Sequence, residues 1–188
     1  GEELRMEYVD AGVCSRKNSF VVRTGRPDGE IEALRSQPIE SLRLLRTKLL
    51  GIDSSSSSAF VVACIGRIVP SKQQDHAILA IHQLIQKGVN AKLILIGEAF
   101  LEEEKRHIRK LQRMTRKLGL QDHVHFAGYR EDALEIMAAS DAVLHTSLRE
   151  GLPNVLVEAA LVSRPIVAYS VSGAAEVIQD GMTGYIVP

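Results

Sequence analysis

The chain has 188 residues, with 23 Lys+Arg against 23 Asp+Glu, 45% apolar residues and 4% aromatic. That length suits one α/β unit with an appendage, and the zero formal charge excludes a protein that coats nucleic acid, which needs a clustered excess of cations. Cys14 and Cys64 are the only cysteines, too few and too far apart for a disulfide framework or a cysteine metal site, and they point to a reducing, intracellular setting.

The opening residues, GEELRMEYVDAG, lack the basic start and apolar run of a signal peptide. No stretch approaches the roughly 18 consecutive apolar residues of a membrane helix, so a cytoplasmic protein is expected. Residues 1–58 hold helix-like polar stretches at 2–11 and 39–50, one apolar run, Phe20-Val21-Val22, and a Pro/Gly-rich piece, Gly25-Arg26-Pro27-Asp28-Gly29. They close in a serine run at 54–58, which cannot bury a core and reads as an exposed loop, with a domain boundary at about 52–58.

From Ala59 onward short apolar runs alternate with helix-length segments, which is the mark of βαβ units. Strands are expected at 60–65, 92–96, 124–126, 142–145, 166–169 and 185–187, and helices at 73–87, 101–118, 132–139, 153–162 and 173–179. Runs without polar alternation read as strands covered on both faces. The expected fold is α/β, a doubly wound Rossmann-like parallel sheet of about six strands. The first three strands end at Gly66, Gly97 and Gly128, the fourth runs through Thr146 and Ser147 to Gly151, and the fifth through Ser170 and Ser172 to Gly173. In such a sheet the ligand crevice lies at the carboxyl ends of the strands, and small residues there admit a ligand close to the backbone. Taken singly, each glycine reads as well as a tight strand-to-helix turn.

Two constellations carry chemistry. In Gly66-Arg67-Ile68-Val69-Pro70-Ser71-Lys72 two cations flank the start of a helix, a setting for a multiply charged anion such as a diphosphate. The loop matches neither the phosphate-binding nor the dinucleotide glycine motif, and solvated surface cations are the bland alternative. In the second, Pro153 is placed as the first helical residue, so that Gly151, Leu152 and the amides of Asn154 and Val155 sit at a helix N-terminus. Glu150 precedes it and Glu158 follows within the same helix. Two carboxylates beside an anion site repel the anion unless they address neutral hydroxyls, and a sugar nucleotide has hydroxyls on both sides of a diphosphate. Ordinary surface and helix glutamates are the alternative here.

Residues 149–159, REGLPNVLVEA, resemble the Glu, seven residues, Glu motif of the retaining glycosyltransferases of group 1, which have the two-domain B-type fold. Arg67 and Lys72 match that family's diphosphate-binding pair in spacing. The stretch ending at Tyr129, LGLQDHVHFAGY, and residues 171–188, VSGAAEVIQDGMTGYIVP, resemble two further motifs in the right order. The resemblance implies that Arg67 and Lys72 neutralise the donor diphosphate and that Glu150 binds hydroxyls of the transferred sugar. It implies that Glu158 binds the ribose, that backbone around Gly66 and Gly151 to Val155 meets the phosphates and sugar, and that the Gly128-Tyr129-Arg130 loop frames the base. The catalytic set is then Glu150, Arg67 and Lys72. No metal or other cofactor is expected, since the cations stand where other transferases hold a divalent ion and the chain has no Asp-x-Asp.

The chain departs from the family pattern at Gly97-Glu98, Gly173-Ala174 and Ser163-Arg164. The resemblance further implies that residues 1–58 are a remnant of an N-terminal domain with its linker and that 59–188 form the donor-binding domain. The parent protein would then move a hexosyl unit from a nucleoside diphosphate sugar to a saccharide or lipid-linked acceptor bound by a missing N-terminal domain, and this piece alone would have little activity. A sugar-nucleotide epimerase of related fold and a noncatalytic nucleotide-binding module are the alternatives. The six histidines show no convincing metal spacing, although His145 ends a strand on the crevice side. The basic helix at 101–118 reads as an amphipathic helix packed on the sheet, with a peripheral membrane contact of the parent protein as the minority reading.

Overall fold

The computed structural model describes residues 28–50, 59–151 and 153–188, together with Met6 and Asp10. Most of the helix-like stretch at 2–11, the Phe20 run, Cys14, the serine run with its domain boundary, and Leu152 lie outside the described residues.

Six strands form one parallel sheet: β1 (Phe60–Ile65), β2 (Ala91–Ile96), β3 (Val124–Gly128), β4 (Ala142–His145), β5 (Ile166–Tyr169) and β6 (Gly184–Val187), in the order β3-β2-β1-β4-β5-β6. The connecting helices are α3 (Gln74–Gln86), α4 (Glu102–Lys117), α5 (Ala133–Ala139), α6 (Asn154–Leu161) and α7 (Ala174–Val177), preceded by α1 (Asp28–Arg35) and α2 (Ile39–Leu50). The chain reverses its direction of travel across the sheet between β1 and β4, which is where a doubly wound fold opens its crevice.

The runs Phe60–Ile65 and Ala91–Ile96 lack alternation because they are covered twice. Val62, Cys64, Leu93 and Leu95 pack with Ile78, Ile81 and Leu111 of α3 and α4, while Val61, Ile94 and Ile96 pack with Ile136 of α5. A third cluster joins Val143, Ile166 and Ala168 to Met137, Leu156, Ala159 and Leu34. Leu34 brings α1 into that core. The Pro/Gly-rich reading of the segment that begins at Gly25 missed this helix, which opens on Asp28-Gly29; one glycine costs a helix only about 1 kcal/mol.

Other boundaries moved for identifiable reasons. Strand β6 starts at Gly184, one residue early, because its backbone lies against Ile166: a Cβ at 184 would stand 1.9 Å from the Ile166 carbonyl oxygen. Helix α7 stops at Val177, short of 179, since Ile178 is already extended and Asp180 bridges to Gly184. Pro153 caps α6 in extended conformation, ψ 112°, and the helix begins at Asn154; Pro153 is therefore not the first helical residue.

At the opposite edge of the sheet from the crevice, Asp141 accepts the Val61 N–H at 2.7 Å and pairs with Arg46 of α2 at 2.7 Å. Arg46 also donates to the Ala139 carbonyl. One carboxylate thus ties α2, β1 and the start of β4 together.

Candidate functional site

The first core strand delivers Gly66 and Arg67 to the carboxyl edge. The Gly66 N–H donates to Ile96 O at 2.9 Å and the Gly97 N–H to Gly128 O at 2.8 Å, so three strand ends are stitched sideways by their own backbone. Gly97 has φ +148°, and a Cβ there would stand 1.9 Å from the Gly66 oxygen. Gly97 therefore allows two loops to touch.

Beyond Arg67 a 3-10 turn, Pro70–Lys72, leads through Gln73 in left-handed conformation, φ 45°, into α3. Gln74 is buried and donates to the Arg67 carbonyl at 2.9 Å, and the Ile68 N–H donates to Glu98 O at 2.9 Å. The backbone beneath Arg67 is thereby fixed from two sides. Its guanidinium, 57% exposed, pairs at 2.9 Å with Glu104, which is 4% exposed.

The loop after β4 closes over this one. The Leu148 N–H donates to Ser71 O at 2.9 Å and the Thr146 hydroxyl to Lys72 O at 2.8 Å, which aligns Lys72 with Glu150. The Lys72 ammonium donates to Glu150 Oε1 in a short contact, with side chains 27% and 17% exposed. His145 Nε2 lies 3.6 Å from the same oxygen and is buried without a hydrogen-bond partner. Burial pushes the imidazole down to about 4, Lys72 acts in the same direction, and Glu150 opposes them. His145 is therefore neutral at physiological pH. Cys64 is buried and pushed up to about 12, chiefly by burial, so it is a thiol and no nucleophile.

The structure brings Gly66, Arg67, Lys72 and Glu150 to one edge, across the β1/β4 reversal. It places the predicted cations on carboxylates, Arg67 on Glu104 and Lys72 on Glu150. Gly151 is half-buried ahead of α6, whose N-terminus has no side-chain cap, while Asn154, Val155 and Glu158 lie on α6. Tyr129, 64% exposed, follows β3. Arg130 makes a two-pronged pair with Asp132 at 2.7 and 2.5 Å, a hydrogen bond that raises the guanidinium and lowers the carboxyl. Among the described residues no cluster of three or more His, Cys, Asp or Glu could hold a metal ion, and no helix is long and apolar enough to cross a membrane. His76, one of the six histidines, bonds the Tyr169 hydroxyl at 2.6 Å.

Sequence reasoning missed the partnership of Glu104. Three successive glutamates, Glu102 to Glu104, suit the positive end of a helix; the position of Glu104, three residues after the helix boundary, signals a side chain that reaches back to cap, and it carries no sign of Arg67. A cavity of about 300 Å³ lies at the ends of β5 and β6, walled by Ser170, Ser172, Gly173, Glu176 and Ile186 among others.

The family model for glycosyl transferases group 1 matches residues 52–188. The putative glycosyltransferase EpsD of Bacillus subtilis is 25% identical over 199 residues, covering 99% of this chain and 49% of its own length. A GDP-mannose-dependent alpha-(1-6)-phosphatidylinositol monomannoside mannosyltransferase of Mycolicibacterium smegmatis is 33% identical over 136 residues, covering 68% of this chain and 34% of its own. The solved structure of Anabaena Alr3699/HepE in complex with UDP and glucose superposes with TM-score 0.84 at 31% identity, over 97% of this chain and 46% of that one. WaaG, at TM-score 0.76 and 24% identity, shares the fold. The chain thus spans about half the length, or less, of the relatives it matches.

Proposed function

Because this chain belongs to the group 1 glycosyltransferases, with the Rossmann-like fold of their B-type donor domains, we propose that its β1/β4 crevice binds a nucleoside diphosphate sugar. The longer protein then transfers the sugar, with retention, to a saccharide or lipid-linked acceptor. The observation that supports this reading is the Lys72–Glu150 contact, in which a lysine ammonium and a glutamate carboxylate lie side by side at the reversal of the sheet. The diphosphate exchanges Glu150 for itself on Lys72, and Arg67 supplies a second grip. Glu150, released, accepts hydrogen bonds from the sugar hydroxyls, and Glu158 serves the ribose. As the anomeric bond breaks, charge grows on the departing diphosphate, and Arg67, Lys72 and the α6 amides oppose it in a preorganised site. No metal is assigned a role, because two protein cations already stand at the diphosphate. A cytoplasmic protein of polysaccharide assembly, peripheral at the membrane, fits an acceptor of this class.

Titration of the chain with UDP, GDP and ADP tests the site. A charge-assisted hydrogen bond contributes about 1.5–3 kcal/mol, so Arg67→Ala with Lys72→Ala should weaken the preferred nucleotide by roughly 100-fold or more. Unchanged affinity for all three would sink the assignment. In the longer protein, Glu150→Gln should abolish most turnover while nucleotide binding persists.

A further inference from the structure

We propose that Glu104 is a positioning residue for the donor: it holds the Arg67 guanidinium in place before the diphosphate arrives. The inference rests on the donor-site reading above. Glu104 is 3% exposed in the first turn of α4, and its two oxygens are divided between two tasks. Oε2 accepts the Phe100 N–H at 2.7 Å and the Leu101 N–H at 3.2 Å, and Oε1 faces Arg67 Nη2 at 2.9 Å. The first task anchors the carboxylate to the start of a helix; the second extends that anchor to a side chain from a different loop. Leu101, at the cap position, has no acceptor to offer, so Glu104 supplies the side-chain half of the cap alone.

Capping by itself does not account for the burial of a charge. A glutamate that only caps stays in solvent, whereas sequestering a carboxylate is favourable only with a paired cation and bonded oxygens. Arg67 needs such a partner more than most cations do. Its backbone is clamped by Gln74 and by the Ile68–Glu98 bond, but four side-chain torsions remain, and fixing them at the moment of binding costs affinity. The pair uses one corner of the guanidinium, and the side chain stays 57% exposed, presenting its other donors to a ligand. The Phe100 N–H, the Leu101 N–H and Arg67 hold the Glu104 carboxyl below its usual range against the effect of burial, so the pair persists at physiological pH.

The test is a double-mutant cycle on UDP binding by the chain, with Glu104→Gln, Arg67→Ala and both together. Gln is isosteric and keeps an acceptor for the cap. Glu104→Gln should weaken UDP about 5- to 10-fold in the wild-type background and less than 2-fold when Arg67 is already Ala, because a positioning residue has nothing left to position. Equal weakening in both backgrounds, or none in the wild type, would overturn the proposal. Unchanged affinity in Arg67→Ala alone would instead overturn the donor-site reading and remove the basis of this one. A second measurement needs no variant: the Arg67 Nε–H in the ligand-free wild type should show the heteronuclear NOE of an ordered side chain. A mobile guanidinium there would overturn the proposal.

Discussion

His145 is a buried imidazole in the crevice whose ring nitrogen Nε2 has no hydrogen-bond partner. Its folded-state pKa of about 4 lies below the unfolded value of about 6.5, so the unfolded chain binds the proton more readily. Stability contributed by the neutral imidazole is therefore complete above about pH 6.5 and declines as pH falls toward 4, by roughly 3 kcal/mol at most. His145→Gln should flatten the urea-midpoint profile between those limits; an unchanged slope would show that other groups carry it. Gly97 gives a prediction without a charge. Gly97→Ala drives a Cβ into a backbone carbonyl and holds Ala at φ +148°, a combination that should cost about 3–5 kcal/mol, measured by denaturant unfolding. Arg67, Lys72, Glu150 and Glu158 stood out in the sequence because they match the motif spacing of the group 1 glycosyltransferases; their local charge pattern alone fits solvated surface residues equally well. Glu104 did not, since its role depends on a distant loop, the one that carries Arg67, meeting it, and nothing local records that.

At the level of elements, the strands were legible because double coverage leaves uninterrupted apolar runs, and their boundaries blurred where tertiary contact overrides local preference. Gly184 begins a strand through its neighbour Ile166, and Ile178 leaves a helix that its own sequence would have continued. The coupling between α2 and the sheet was equally invisible, since Arg46 and Asp141 lie far apart in the chain and nothing local to either records the pair. Asp141→Ala leaves the buried Val61 N–H without its acceptor and strips Arg46 of its carboxylate partner, leaving it the Ala139 carbonyl. It should destabilise the chain by about 2–4 kcal/mol, and hydrogen exchange should quicken first along α2 and the start of β1. Protection that falls evenly over all strands would show that Asp141 matters only to global stability.

The whole chain is neutral, so stabilisation by an anionic nucleotide calls for a local site rather than a general field, and the donor-site reading puts that site in the crevice. UDP at 100 times its dissociation constant should add about 2.7 kcal/mol, a rise in Tm of roughly 5–10 °C for a domain of this size. The double variant at Arg67 and Lys72, binding about 100-fold more weakly, should rise by no more than about 1–2 °C at that concentration. An equal rise would place the nucleotide elsewhere, with the cavity beyond β5 and β6 the first location to examine.

On the donor-site reading, the Lys72–Glu150 contact also sets how donor affinity responds to ionic strength. A lone surface cation gathers small anions that are released when a phosphate replaces them, and that release makes binding fall steeply with added salt. Lys72 has a carboxylate of its own protein as its counterion, and Arg67 has another. Binding then swaps one tethered anion for a diffusing one, few chloride ions are set free, and the dependence of log affinity on log salt should be shallower than two open cations would give.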